Sequence, residues 1–225
     1  MDDYLTEIDQ WEALKRWLRE NGAWMVAGVI IGVGALLGYR WWEERQTTRA
    51  HTAQARYTDV LTALSRADKA RAVELADQLR SELSETPYAD HADLVLARAH
   101  VDLGELDEAQ RRLRIVMEGS EDPELRLIAR ERLARVQLAQ DRPDDALATL
   151  AGAESGAVAA HFDEIRGDAL LKKDDTVGAL AAYRAALTAE EPGLVDVGLL
   201  QLKINDLGAS EPESAVTPAP AKESR

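Results

Sequence analysis

Histidine, serine and paired carboxylates are the side chains from which this 225-residue chain could assemble a reacting centre, because it contains no cysteine. That absence removes thiolate nucleophiles, disulfides and cysteine-based zinc sites, and it leaves the redox compartment open. His51, His91, His100 and His161 are scattered. None falls in H-x-x-x-H or H-E-x-x-H, the spacings that put two imidazoles on one helix face; His91 and His100 come nearest. Ser65, Ser81, Ser84, Ser120 and Ser155 sit in no G-x-S-x-G elbow, and the glycines form no phosphate-cradling loop ahead of a helix. Asp144 with Asp145, and Asp174 with Asp175, read as acidic first turns that complement the helix dipole. The sequence predicts no catalytic, metal or cofactor site. With 41 acidic against 27 basic side chains the net charge is −14, a field that repels phosphate and argues against nucleic acid as a partner. What remains is contact chemistry, and the elements that would present it.

Between Glu20 and Arg40 there is no charged side chain. Ala23–Tyr39 reads AWMVAGVIIGVGALLGY, and at about 1.5 Å per residue the stretch from Asn21 nearly crosses a hydrocarbon layer of about 30 Å. Trp24 stands at one end and Tyr39, Trp41 and Trp42 at the other, where amphipathic rings prefer the headgroup level. A buried core helix and a cleaved signal peptide are the alternatives. The second fits poorly, since Gly38-Tyr39-Arg40-Trp41-Trp42 offers no small-x-small cleavage site. Residues 21–42 are therefore expected to be a single transmembrane anchor. Lys15, Arg16 and Arg19 before it balance Arg40, Arg45 and Arg49 after it. The count sets no orientation, though a short cationic tail tends to stay on the cytoplasmic side. Gly28 with Gly32, and Gly34 with Gly38, are small-xxx-small pairs at which another membrane helix could approach closely, or glycines of the kind common in membrane helices. Ahead of the span, Trp11, Leu14, Trp17 and Leu18 share one sector of a helical wheel, so residues 1–20 are expected to carry an amphipathic helix lying on membrane lipid or on a partner.

After Arg45 apolar residues recur at three- and four-residue spacing in an Ala- and Leu-rich background, which predicts helix throughout. Pro87, Pro123, Pro143 and Pro192 separate the periodic runs, and Asp122-Pro123-Glu124 carries a cap, a first-turn proline and an acid in order. Aligned on Gly104–Ala109, Ala109 matches Ala72, Ala146 and Ala179 at separations of 37, 37 and 33 residues. Twelve positions earlier stand Val60, Ala97, Ala134 and Gly167, and four later Ala76, Leu113, Leu150 and Tyr183. Small residues at fixed places let paired helices close up, so the pattern is a helix-turn-helix repeat. Its period and G-x-x-x-x-A turn resemble the tetratricopeptide repeat, although the turn glycine becomes Ala67, Asp141 and Asp174 elsewhere. A non-repeat helical bundle is the other reading of so much alanine.

The expected architecture is all-α: an N-terminal single transmembrane helix followed by a tetratricopeptide-like helical repeat solenoid over residues 46–207. Residues 193–207 would be its terminal capping helix, and the proline-containing stretch 208–225 a disordered tail. The alignment turns one set of first-helix positions inward: Gln54, Tyr57, Leu61, His91, Leu94, Arg98, Ile128, Glu131, Arg135, His161, Glu164 and Asp168. Their mixture of apolar and charged groups suits a protein-binding groove, or equally a solvated concave face.

Three stretches resemble the YfgM family: EIDQWEALKRWLRENG over Glu7–Gly22, GVIIGVGALLGYRWW over Gly28–Trp42, and QLKINDL over Gln201–Leu207. Arg132–Gln137 (RLARVQ) and Arg166–Leu171 (RGDALL) follow the same pattern, and the tail after Gly208 looks like an addition. The resemblance implies an ancillary subunit of the bacterial SecYEG translocon in the inner membrane, with a cytoplasmic N-terminus and a periplasmic tetratricopeptide-like domain. It further implies association with the PpiD-type periplasmic chaperone, transfer of secreted client proteins to periplasmic chaperones, and a link to the Rcs stress-response regulator. It carries no catalytic residue. A membrane-anchored repeat scaffold for cell-envelope assembly or stress signalling is the alternative.

Overall fold

Proline and aspartate set the helix starts. Pro87, Pro123 and Pro143 each occupy a first helical position, where the missing N–H costs nothing. Asp68, Asp122 and Asp196 accept hydrogen bonds from backbone N–H groups of the first turns that follow them. The computed structural model describes residues 3–152, 158–188 and 195–208, and all its elements are helices. They run α1 (Asp3–Ser65), α2 (Lys69–Glu82), α3 (Pro87–Asp102), α4 (Leu106–Gly119), α5 (Pro123–Ala139), α6 (Pro143–Leu150), α7 (Ala159–Lys172), α8 (Thr176–Thr188) and α9 (Val197–Asp206). Pro192, residues 193–194 and the tail after Gly208 lie outside the described residues.

The chain divides into two units, Met1–Thr52 and Ala53–Arg225. α1 passes through residues 20, 42 and 46 without a break. In the first unit the apolar window of α1 is long enough to cross a membrane, and none of it is buried in the protein. Trp24 is 81% exposed and Ile31 71%. That exposure removes the buried core helix as a reading, since a core segment would be covered by its own chain. Trp11, Trp17 and Leu18 are exposed too, with the Lys15 ammonium 5.4 Å from the Trp11 ring centre and the Arg45 guanidinium 5.4 Å from that of Trp41.

In the second unit the aligned small residues are the packing sites. Ala72, Ala109, Ala146 and Ala179 are all fully buried, as are Ala76, Leu113, Leu150 and Tyr183 four positions on. Each hairpin shares a core across its two helices: Val60 with Ala72, Ala97 with Ala109, Ala134 with Ala146. In the fourth, Gly167 is buried with no room for a side chain, because a Cβ there would overlap the Tyr183 ring.

The turns inside the hairpins repeat more faithfully than their residues. Ala67, Gly104, Asp141 and Asp174 all take left-handed φ, at 58°, 76°, 61° and 61°. In each copy that residue's N–H reaches back three positions and the next N–H reaches back five, from Asp68 to Ala63, Glu105 to His100, Arg142 to Gln137 and Asp175 to Leu170. This double bond satisfies the last carbonyls of the first helix and stops it. Only one copy carries the glycine that the conformation favours.

Candidate functional site

The first helices of the hairpins are the last turns of α1, then α3, α5 and α7. Tyr57 is half-buried, with its ring 6.1 Å from Tyr88 and 6.2 Å from the exposed His91, so three rings from α1 and α3 form one patch. Leu61 and Gln54 are exposed beside it. Leu94, assigned to the groove by alignment, is instead 5% exposed and belongs to the core with Leu113 and Leu133. Its aliphatic side chain is drawn under α4 and α5, where burial removes it from water.

Further along, charged groups from α5, α7 and α9 form a chain. The Glu131 carboxylate accepts from Arg135 and lies 4.0 Å from Nδ1 of His161, while Arg135 stands 4.0 Å from Glu164. Lys203 of α9 donates to Glu164 at 3.0 Å and to Asp168 at 2.7 Å, and Asp168 also accepts from the Tyr183 hydroxyl at 2.7 Å. Burial works to lower the Lys203 pKa, but the carboxylates of Asp168 and Glu164 outweigh it and hold it raised. Burial, seconded by Asp168, pushes the Tyr183 phenol far above its ordinary range. Its hydroxyl stays a donor at neutral pH. Glu164 and Asp168 are therefore committed to contacts within the chain more than to open surface, whereas Nδ1 of the half-buried His161 has no hydrogen-bond partner among the described residues.

Between α3 and α5 the surface behaves otherwise. The two helices part above the shared core and leave a cleft of about 550 Å³. Its floor is Leu106 and Leu113 of α4 with Val101 and Val136, and its rim is Arg98, Asp102, Glu131, Arg132 and Arg135. Of the groove positions read from the alignment, Arg98, Ile128, Glu131 and Arg135 line this cleft. Val101, Arg132 and Val136 were missed. The alignment kept three positions per helix, whereas the same face continues to Val101, three after Arg98, and through Arg132 and Val136, four and eight after Ile128.

A Cβ added at Gly28, Gly32, Gly34 or Gly38 would meet nothing within 4 Å among the described residues beyond the local helix backbone. A second polar cluster, unforeseen from the sequence, lies at the other end of the repeat unit. Asp93 accepts from Arg80 of α2 at 2.7 Å and from Arg112 of α4 at 2.8 Å, and Arg112 reaches Asp77 at 2.7 Å. Burial works against the charge on both guanidiniums, but the aspartates prevail and raise both pKa values. Asp90 joins the cluster through Arg80 and the Ser120 hydroxyl.

An exposed apolar helix of membrane length, with helical hairpins closed by one repeated turn, defines the class: a tetratricopeptide-like repeat protein with a candidate single-span anchor. Residues 15–209 match the family described as tetratricopeptide repeat-like domain. Over 208 residues the chain is 38% identical to the ancillary SecYEG translocon subunit of Escherichia coli (strain K12), covering 92% of this chain and 99% of that one. Relatives of the same name in Aggregatibacter actinomycetemcomitans (29% over 203 residues, 90% and 98% covered) and Haemophilus influenzae (27% over 201, 89% and 96%) also match along nearly their whole length. The solved structure of MamA 41-end from Desulfovibrio magneticus RS-1 superposes with a TM-score of 0.54 at 15% identity, covering 69% of this chain and 83% of that one, which is a likeness of fold. The chain belongs to the family of these translocon-subunit relatives, the YfgM family, with its tetratricopeptide repeat-like domain.

Proposed function

We propose that this chain is an ancillary subunit of the SecYEG translocon that binds partner proteins beside the secretion channel and helps pass emerging proteins to periplasmic chaperones. The observation that carries the reading is the 38% identity to the Escherichia coli subunit of that name across 99% of its length. The anchor would span the inner membrane once, with the N-terminus cytoplasmic and the repeat unit periplasmic. Gly28, Gly32, Gly34 and Gly38 would seat partner helices, and membrane lipid would cover the rest of the span. Tyr57, Leu61, His91, Arg98, Ile128, Glu131 and Arg135 would meet a PpiD-type chaperone or a client. Tethering raises the effective concentration of repeat surface near emerging chains, so weak contacts suffice and clients leave quickly. The role is non-catalytic.

The test is purification of the intact chain in mild detergent after in vivo photo-crosslinking at Tyr57, Arg98 and Ile128. Recovery of translocon components and a PpiD-type chaperone is the expected result; a wild-type preparation free of both defeats the proposal. Orientation is read separately. The chain has no cysteine, so Gln46→Cys and Thr6→Cys report the two sides of the span with a membrane-impermeant maleimide. Labelling of the first alone in intact spheroplasts supports a periplasmic repeat unit, and labelling of the second alone reverses it.

A further inference from the structure

We infer that the cleft between α3 and α5 is a docking site for an acidic, aliphatic segment of another protein; the inference rests on the partner-binding role above and gives that role its chemistry. The cleft combines an apolar floor with a rim of three arginines against two carboxylates, in a chain whose net charge is −14. Local charge is thus opposite in sign to the whole, which favours a partner bringing carboxylates. Among the described residues Arg98 is paired only to Asp102, one turn along its own helix, with both side chains more than half exposed. Such a pair contributes little and is readily exchanged for an incoming group.

Arg132 goes further. It is exposed on the rim and has no hydrogen bond or ion pair among the described residues. A free guanidinium beside apolar surface offers a planar fork that a carboxylate can meet with two bonds. Beneath it, Val101 is 37% exposed, and Leu106 and Ile128 are half-buried, so aliphatic side chains entering the cleft would cover surface now in water. The neighbouring seam offers no such vacancy. There Glu131 lies against His161 and Arg135 faces Glu164, bridging α5 to α7. The rim also carries the exposed Asp102, an acceptor suited to backbone N–H groups of a polypeptide, whereas a fatty acid would bring only its carboxylate.

The probe is a fluorescein-labelled peptide in which leucines alternate with glutamates, against the same peptide with lysines for glutamates, each titrated by fluorescence anisotropy with the detergent-solubilised full chain. The glutamate peptide is expected to bind at least about tenfold more tightly. Arg132→Glu should cost it about tenfold and narrow the gap to the lysine peptide, and Val101→Arg, which obstructs the floor, should abolish binding. Both sites are exposed, and an unchanged circular-dichroism melt shows that each variant folds. Equal binding of the two peptides, a preference untouched by Arg132→Glu, or displacement by oleate as effective as by unlabelled peptide overturns the inference. So does either rival occupant: affinity that rises about tenfold in Glu211→Lys/Glu213→Lys assigns the cleft to the chain's own C-terminal segment, and affinity that falls as chain concentration increases assigns it to a second copy. If wild-type chain recovers the translocon yet the peptides are not distinguished, the cleft assignment alone fails. If the peptides are distinguished yet no translocon is recovered, the translocon role fails and the cleft stands.

Discussion

Asp93 and Asp168 each tie three consecutive helices together, one near each end of the repeat unit, under opposite conditions. The Asp93 side chain is 1% exposed and holds Arg80 from α2 and Arg112 from α4, cations that keep their charge at any pH a protein survives. The Asp168 side chain is 37% exposed and holds Tyr183 from α8 and Lys203 from α9, both of which lose a proton in alkali. In the first case ions were taken out of water, and their loss of hydration is offset only while every partner is present. In the second, water reaches and screens the carboxylate, and Lys203 has Glu164 as a second partner. The same topology is therefore brittle at one end and adjustable at the other.

The largest effect should come from breaking the brittle end. Asp93→Ala leaves two cations facing a gap and is expected to cost about 3–5 kcal/mol in denaturant unfolding of the full chain. A loss no larger than that of Asp168→Ala would erase the contrast. Next comes Gly167→Ala, whose new methyl would press on the Tyr183 ring and cost about 1–3 kcal/mol by overpacking. Asp168→Ala itself should cost about 1–2 kcal/mol, since Lys203 keeps Glu164 while the buried Tyr183 hydroxyl loses its acceptor.

Alkali distinguishes the ends without mutation. Lys203 and Tyr183 have raised pKa values in the folded chain. Their contribution is complete below their ordinary values of about 10 and is lost as pH rises through the raised ones. Melting temperature should fall above about pH 10 more steeply in wild type than in Asp168→Asn, where the share Asp168 supplies is gone while burial of Tyr183 and the pull of Glu164 on Lys203 remain. Parallel pH profiles would count against it. The smallest change is a gain: Ala67→Gly relieves a left-handed alanine and should stabilise by about 0.5–1 kcal/mol, seen as a higher unfolding midpoint.

Most of this frame was readable from the chain. Ala72, Ala109, Ala146 and Ala179 gave the repeat because a helix crossing tolerates few side chains, and a tight steric constraint leaves a mark at a fixed sequence interval. Asp141 and Asp174 looked like departures from the turn, yet the backbone there is the one Gly104 adopts, aspartate being among the residues that tolerate it. The charged clusters were not readable. Asp77 and Arg112 are 35 positions apart, and each looks like an ordinary solvated helix residue until packing brings them together. Leu94 was misplaced for a related reason. Alignment supplies a residue's place in the repeat, but one rotation step on a helix separates groove from core.

The end of α1 has a practical consequence for anyone cutting the chain. Ala53, Val60 and Ala63 lie in the same core cluster as Ala72, Ala76 and Leu79, so the helix that carries the apolar stretch also supplies half of the first hairpin. A soluble fragment begun at the first loop, after Ser65, would strip that core on one side and expose Leu79, now fully covered. The scissile point compatible with an intact first hairpin lies at or before Thr52, within a continuous helix and with no loop to mark it.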